Sequence, residues 1–190
     1  ILEELGYNSV FDSSALSMRE GNTELIIDEM ILALEHMARR KVGALIVVEN
    51  KIHLNDVIAT GTRVDGIISQ PLIENIFEPN TPLHDGAVII RGNRIAAASC
   101  LLPLTEMRNL SQELGTRHRA ALGISEQSDA VILVVSEETG TISLARNGTL
   151  QRYLTADDVK EFLKASITRP KADFKQMLRE KIRDLRGDKK

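Results

Sequence analysis

Two wholly aliphatic runs, Ala44–Val48 and Ala130–Val135, constrain this chain more than anything else in it. Each is rich in β-branched side chains and far too short to cross a bilayer. Neither offers a polar residue to a solvent-facing side, so both read as strands buried in the sheet of an α/β domain. The elements around them follow from local pattern. Between Glu24 and Lys41 the residues Ile27, Met30, Ile31, Leu34 and Met37 recur at helical spacing, with Gly43 as the expected stop. Leu72–Phe77 reads as a short helix after Ser69, with Pro71 in its first turn. A hairpin is expected from Ala87–Ile90 and Ile95–Leu102, which flank Arg91-Gly92-Asn93-Arg94, whose Gly-Asn centre suits positive φ. Thr141–Ala145 should pair with Ala130–Val135 across Glu137-Glu138-Thr139-Gly140. Thr116 is placed to cap a helix through Arg119 to Leu122. Thr155-Ala156-Asp157-Asp158 looks like a capping box, with Asp in place of Glu, opening a helix through Leu163.

The fold expected from these elements is α/β (mixed α+β), a central mixed sheet flanked by helices in one domain over residues 1–168. Residues 1–23 form a lead-in. After Pro170 a last amphipathic helix carries Phe174, Met177, Leu178 and Leu185 on one stripe, a basic tail over residues 169–190. That tail has nine Lys/Arg against four Asp/Glu, which leaves −8 on the rest of a chain whose net charge is −3. An acidic body with 3% aromatic residues lacks the basic face and stacking rings of a nucleic-acid binder. A single cysteine, Cys100, excludes an intrachain disulfide and reads as a small core residue in a reducing compartment. The chain opens on Ile1 rather than Met, so a piece of a longer protein is expected.

Two segments carry the chemistry. Pro82-Leu83-His84-Asp85-Gly86-Ala87 places an imidazole and a carboxylate beside a glycine, just before a strand. Such a pair suits Mg²⁺ or Mn²⁺ rather than a closed zinc site, and the glycine would let a metal-bound phosphate approach the backbone. An Asp-Gly turn before a strand has the same composition, so these residues alone leave both readings open. Gly115-Thr116-Arg117-His118-Arg119 is the more specific segment. A helix start favours anions, yet here it carries cations, against the preference of the helix dipole. Local conflict of that kind marks function more often than folding, and guanidinium geometry suits bidentate phosphate contacts. Ser136 and Glu138, in the turn after the second aliphatic run, could serve a phosphate and a metal or ribose. His36 and His53 read as surface histidines. No P-loop, Gly-x-Gly-x-x-Gly or Gly-x-Ser-x-Gly pattern occurs.

The Asp85-Gly86-Ala87 and Arg117-His118-Arg119 triplets, about thirty residues apart, resemble the paired signature of the bacterial diadenylate cyclases, the DAC domain. Pro-Leu-His-Asp-Gly-Ala-Val-Ile-Ile, Glu-Leu-Gly-Thr-Arg-His-Arg-Ala-Ala and Val-Ser-Glu-Glu-Thr-Gly look like the membrane-anchored CdaA-type branch, over roughly Ile27 to Leu163. The resemblance implies a catalytic domain that joins two ATP into cyclic di-AMP, with two protomers face to face. It implies that Asp85 binds Mn²⁺ or Mg²⁺ and helps activate a 3′-hydroxyl, with His84 and Glu138 as further ligands. Gly86 and Ala87 would lie along the nucleotide, Leu102 would meet adenine through its backbone, and Thr116, Arg117 and Ser136 would hold phosphates. His118 and Arg119 would complete the clamp or the dimer contact. Many members of this branch have an aromatic residue where Leu101 stands, so apolar contact alone is left here. The resemblance further implies a cytoplasmic catalytic domain anchored by transmembrane helices outside this chain, a membrane-associated regulator and a sugar-phosphate mutase. A catalytically silent nucleotide-binding module and a metal phosphohydrolase are the competing classes.

Overall fold

A computed structural model describes residues 23–107, 110–111 and 114–167. The lead-in expected over residues 1–23 lies outside the described residues except for Thr23, which is already helical, and the basic tail with Phe174 and Leu185 lies outside them altogether. Helix α1 covers residues 23–40 and buries Ile27, Met30, Leu34 and Met37 almost completely. It ends at residue 40, three residues before Gly43, the expected stop. Lys41 takes the left-handed conformation (φ 54°), and the Lys41 and Val42 amides donate to the Ala38 and Met37 carbonyls at 3.2 and 2.9 Å. That pair of bonds closes a helix end without glycine, and it frees Gly43 for another task.

The strands β1 (Ala44–Val48), β2 (Thr62–Ile67), β3 (Ala87–Arg91), β4 (Arg94–Cys100), β5 (Val131–Val135), β6 (Ile142–Arg146) and β7 (Thr149–Gln151) form a sheet in the order β2-β4-β3-β1-β5-β6-β7. Only β1 and β3 pair in parallel; every other neighbouring pair is antiparallel. Side chains alternate along β1 between two cores. Ala44, Ile46 and Val48 join α1, α3 (Gln70–Phe77) and α5 (Ala156–Ile167) on one face. Leu45 and Val47 join α2 (Asn55–Thr60) and α4 (Thr116–Gln127) on the other. The mixed sheet between helices is therefore the expected architecture, and the aliphatic runs are central because both their faces are covered.

Smaller expectations meet the structure unevenly. The Thr155 amide donates to the Asp158 carboxylate (2.8 Å) and the Asp158 amide to the Thr155 hydroxyl (3.2 Å), so the capping box forms with Asp in it. In the hairpin turn Gly92 takes a positive φ (58°) and Asn93 does not, and β4 ends at Cys100, two residues short of Leu102. Elements α2, β2 and β7 have no counterpart in the sequence reading. Helix α2 buries none of its residues, and β2 is an exposed edge strand whose register shifts between Arg63 and Gly66. Among the described residues no helix is long and apolar enough to cross a membrane.

Candidate active site

Strands β1 and β3 begin, and β5 ends, at the same end of the sheet. Ala44 stands opposite Val135 in the β1–β5 register. Carrying the β1–β3 register back two residues from Ile46 opposite Val88 puts Ala44 beside Gly86. One row therefore reads Gly86, Ala44, Val135, and the next row outward reads Asp85, Gly43, Ser136. With strands about 4.8 Å apart, Asp85 and Ser136 lie roughly 10 Å from one another across the chain at Gly43. The two segments singled out by chemistry share one end of the molecule.

Helix α4 starts at that end. Its cap is Gly115, in extended conformation and without a capping side chain; the Gly115 carbonyl accepts from the His118 and Arg119 amides at 3.1 and 3.2 Å. Thr116 is the first helical residue and not the cap it was expected to be. Its hydroxyl is consequently not spent on closing the helix. The first turn holds no acidic residue. Gly115, Thr116, Arg117, His118, Val135, Ser136, Glu137 and Glu138 line a cavity of about 30 Å³, room for little more than one water. Across it Arg117 Nη1 donates to Glu137 Oε2 at 2.6 Å. Gly43 makes the space for this pair: a Cβ there would stand 2.6 Å from Arg117 Nη1 and 3.0 Å from Glu137 Oε2.

His118 backs the cavity from inside. It is 4% exposed, with Nε2 3.4 Å from the buried Ser143 hydroxyl. Burial first, and then the charge of Arg152, push its pKa below the ordinary imidazole value. Both effects favour the neutral ring over the imidazolium. Arg119 is exposed and lies outside the cavity lining, although its carbonyl anchors the Thr105 amide at 3.1 Å. Ser136 accepts from the Thr139 amide at 3.3 Å, which shapes the turn that presents Glu137 and Glu138, both exposed.

On the β3 side, Asp85 is exposed and half-buried His84 sets its Nδ1 2.6 Å from the Thr81 carbonyl. A carbonyl can only accept, so Nδ1 carries a proton; in the neutral ring that leaves the lone pair on Nε2, the tautomer of a metal-binding imidazole. Gly86 has φ 111°, and a Cβ there would meet the Ser99 carbonyl carbon at 2.8 Å and the Cys100 backbone oxygen at 2.9 Å. Gly86 thus allows the backbone of β4 to approach closely on this side. Ala87 is fully buried in the core on the α4 face, which leaves only its backbone for any contact. Leu102 packs against the same core, while neighbouring Leu101 is 71% exposed. Burial pushes the Cys100 thiol up to about 11, an inert core group.

Thr116, Arg117, His118, Ser136 and Glu138 thus share one cavity, and His84, Asp85 and Gly86 stand at the same sheet end beyond Gly43. Three participants had gone unassigned. Gly43 read as a helix stop, Glu137 as one more turn acid, and Ser99, which donates from Oγ to the Asp85 carbonyl at 2.6 Å, had no local signal at all.

Comparison with known proteins adds the following. The DAC family, described as DisA bacterial checkpoint controller nucleotide-binding, matches residues 31–150. The cyclic di-AMP synthase CdaA of Bacillus subtilis is 46% identical over 172 residues, 90% of this chain and 63% of that protein. A diadenylate cyclase of Listeria monocytogenes is 48% identical over 162 residues, 85% of this chain and 59% of that protein. The crystal structure of DacA from Staphylococcus aureus is similar with a TM-score of 0.75 at 48% identity, over 76% of this chain and 97% of that one. The chain spans about three fifths of the length of these curated relatives.

Proposed function

Because the chain belongs to the DAC family of DisA-type nucleotide-binding domains, we propose that it is a diadenylate cyclase. It condenses two ATP into cyclic di-AMP and releases two pyrophosphates. The observation that carries this reading is the shared sheet end, where the strand register sets Asp85 beside Gly43 and the guanidinium of Arg117 lies over Gly43. A spacing of roughly 10 Å suits one nucleotide lying across three strands. The diadenylate cyclases among its relatives support the choice of substrate.

In this account Arg117, the Thr116 hydroxyl and the α4 amide end hold the triphosphate, and Ser136 adds a hydroxyl from the facing turn. His118 fixes the helix tip against Ser143 from the buried side. Leu101 and Leu102 offer apolar cover and backbone groups to the adenine. Asp85 takes the proton from a 3′-hydroxyl, whose oxygen attacks the α-phosphorus of the facing nucleotide and expels pyrophosphate in line. Two such attacks close the ring, so two protomers meet face to face, each bringing one ATP.

The donor set fits a divalent cation of the Mg²⁺ or Mn²⁺ kind. Asp85 offers an exposed carboxylate, His84 the Nε2 of its ring and Glu138 a second carboxylate. Among the described residues no three such groups converge, so substrate phosphates and water would have to supply the rest of the ion's shell. When bound, the ion supplies neutralisation of phosphate charge and a lowered hydroxyl pKa. The full-length protein is read as membrane-anchored, in keeping with the CdaA-type resemblance, with this domain on the cytoplasmic side.

Incubation with ATP and Mn²⁺, followed by chromatography, tests the proposal. Cyclic di-AMP with two equivalents of pyrophosphate is the expected outcome, lost in Asp85→Asn while the melting temperature holds. Release of inorganic phosphate or a mononucleotide would make the chain a phosphohydrolase. Bound but unconverted ATP would make it a silent binding module.

A further inference from the structure

We infer that Ser99 is a positioning residue that sets the direction of the Asp85 carboxylate, an inference that rests on the role given to Asp85 above. Ser99 is the penultimate residue of β4, yet its φ is 55°. A residue with a Cβ takes that conformation inside a strand only when its surroundings impose it. The cause lies in the register. Ala87 pairs with Cys100 and Ile89 with Ala97, so Val88 faces both Ala98 and Ser99. That is a β-bulge with its left-handed position filled by serine, where glycine would sit without strain.

What serine has and glycine lacks is the hydroxyl, and the hydroxyl is in use. Ser99 Oγ donates to the Asp85 carbonyl at 2.6 Å. From the other side, the backbone of Ser99 and Cys100 presses on Gly86, within 2.8–3.0 Å of where a Cβ would be. One bulge thus grips the Asp85–Gly86 peptide twice, at its oxygen and at its glycine. Fixing that peptide plane fixes the backbone from which the Asp85 side chain leaves, and so the set of directions its carboxylate can take. The carboxylate itself receives nothing from Ser99, whose whole effect passes through the main chain. In-line displacement tolerates little error in the group that activates the nucleophile, which gives such a grip a catalytic purpose.

Ser99→Gly removes the hydrogen bond while relieving the strain, so the fold should be as stable as before or more so. The expected result is a kcat for cyclic di-AMP lower by roughly ten- to a hundredfold, with the KM for ATP and the melting temperature unchanged. Ser99→Asn, whose side-chain amide tolerates the left-handed conformation and can donate to the same carbonyl, should recover part of that loss. A readout free of turnover accompanies these: the carboxyl ¹³C signal of Asp85, single in the native protein, should broaden or split in Ser99→Gly. Native kcat and an unchanged Asp85 signal in Ser99→Gly would overturn the inference. A wild-type chain that makes no cyclic dinucleotide would overturn the functional reading instead, and the Asp85 signal would still decide this one.

Discussion

Arg117 is already held by a carboxylate of its own chain, and in the proposed role a substrate phosphate would have to take the place of Glu137. Glu137 is 63% exposed, and an ion pair in such a setting is worth about 0–1 kcal/mol. Glu137→Gln should therefore lower the KM for ATP by up to about fivefold and leave kcat alone, as steady-state kinetics would show; a raised KM would mean that Glu137 aims Arg117 rather than competes for it. A second carboxylate ties the far end of the sheet. Glu49, with a side chain 2% exposed, receives Arg91 Nε and Nη2 at 2.7 and 2.8 Å and the Leu54 amide at 2.8 Å. Burial pushes its pKa up, but the hydrogen bonds from Arg91, Leu54 and His53 outweigh burial and hold it at about 2, against an ordinary 4.5. Between those values the unfolded chain binds the proton that the native chain refuses. The stabilisation is complete above pH 4.5 and drains away as pH falls toward 2, a loss on the order of 3 kcal/mol. Urea melts at a series of pH values should show that slope, and Glu49→Gln should flatten it. At this scale the sequence disclosed groups whose chemistry is local, namely Asp85 beside a glycine and Arg117 in a first turn. It hid Ser99, Glu137 and Gly43, whose roles exist only through partners 14, 20 and 74 residues away.

Helix α4 and the start of β1 work as one device. The helix lays Arg117 over the chain at Gly43, and the strand needs a residue without a Cβ there. The clash in Gly43→Ala falls on the far end of a flexible side chain, so the fold yields cheaply and the guanidinium moves instead. We expect the KM for ATP to rise several-fold with a melting temperature within a few degrees of native; a thermal scan beside a substrate titration separates the two effects. An unchanged KM would show that Arg117 reaches phosphate from a place that Gly43 does not govern. Elements with a strong apolar signal were legible: the helical period of α1, the unbroken aliphatic runs of β1 and β5, and the hairpin all lie within two residues of their expected bounds. Helix α2 and strand β2 were not, because an element with few or no buried residues leaves no periodic trace. Thr116 misled for a related reason. Capping is decided by backbone geometry at Gly115, and threonine at the next position has the right chemistry in the wrong place.

For the molecule as a whole, two central strands covered on both faces dictate a layered α/β fold, and that much was readable from the aliphatic runs alone. Strand order was not, since the β1–β3 and β1–β5 pairings join segments some forty and ninety residues apart. It is this order that brings Asp85 and Arg117 to one end of the sheet. On the proposed function each such site would hold one nucleotide, whereas cyclic di-AMP needs two phosphorus–oxygen bonds between two nucleotides. A lone protomer should accordingly bind ATP and form no product. The most direct measurement is cyclic di-AMP made per chain at saturating ATP and Mn²⁺ across a dilution series that spans dimer dissociation. The account predicts a rate per chain that climbs with protein concentration and then levels off; a rate per chain that stays constant down to fully dissociated protomers would contradict it.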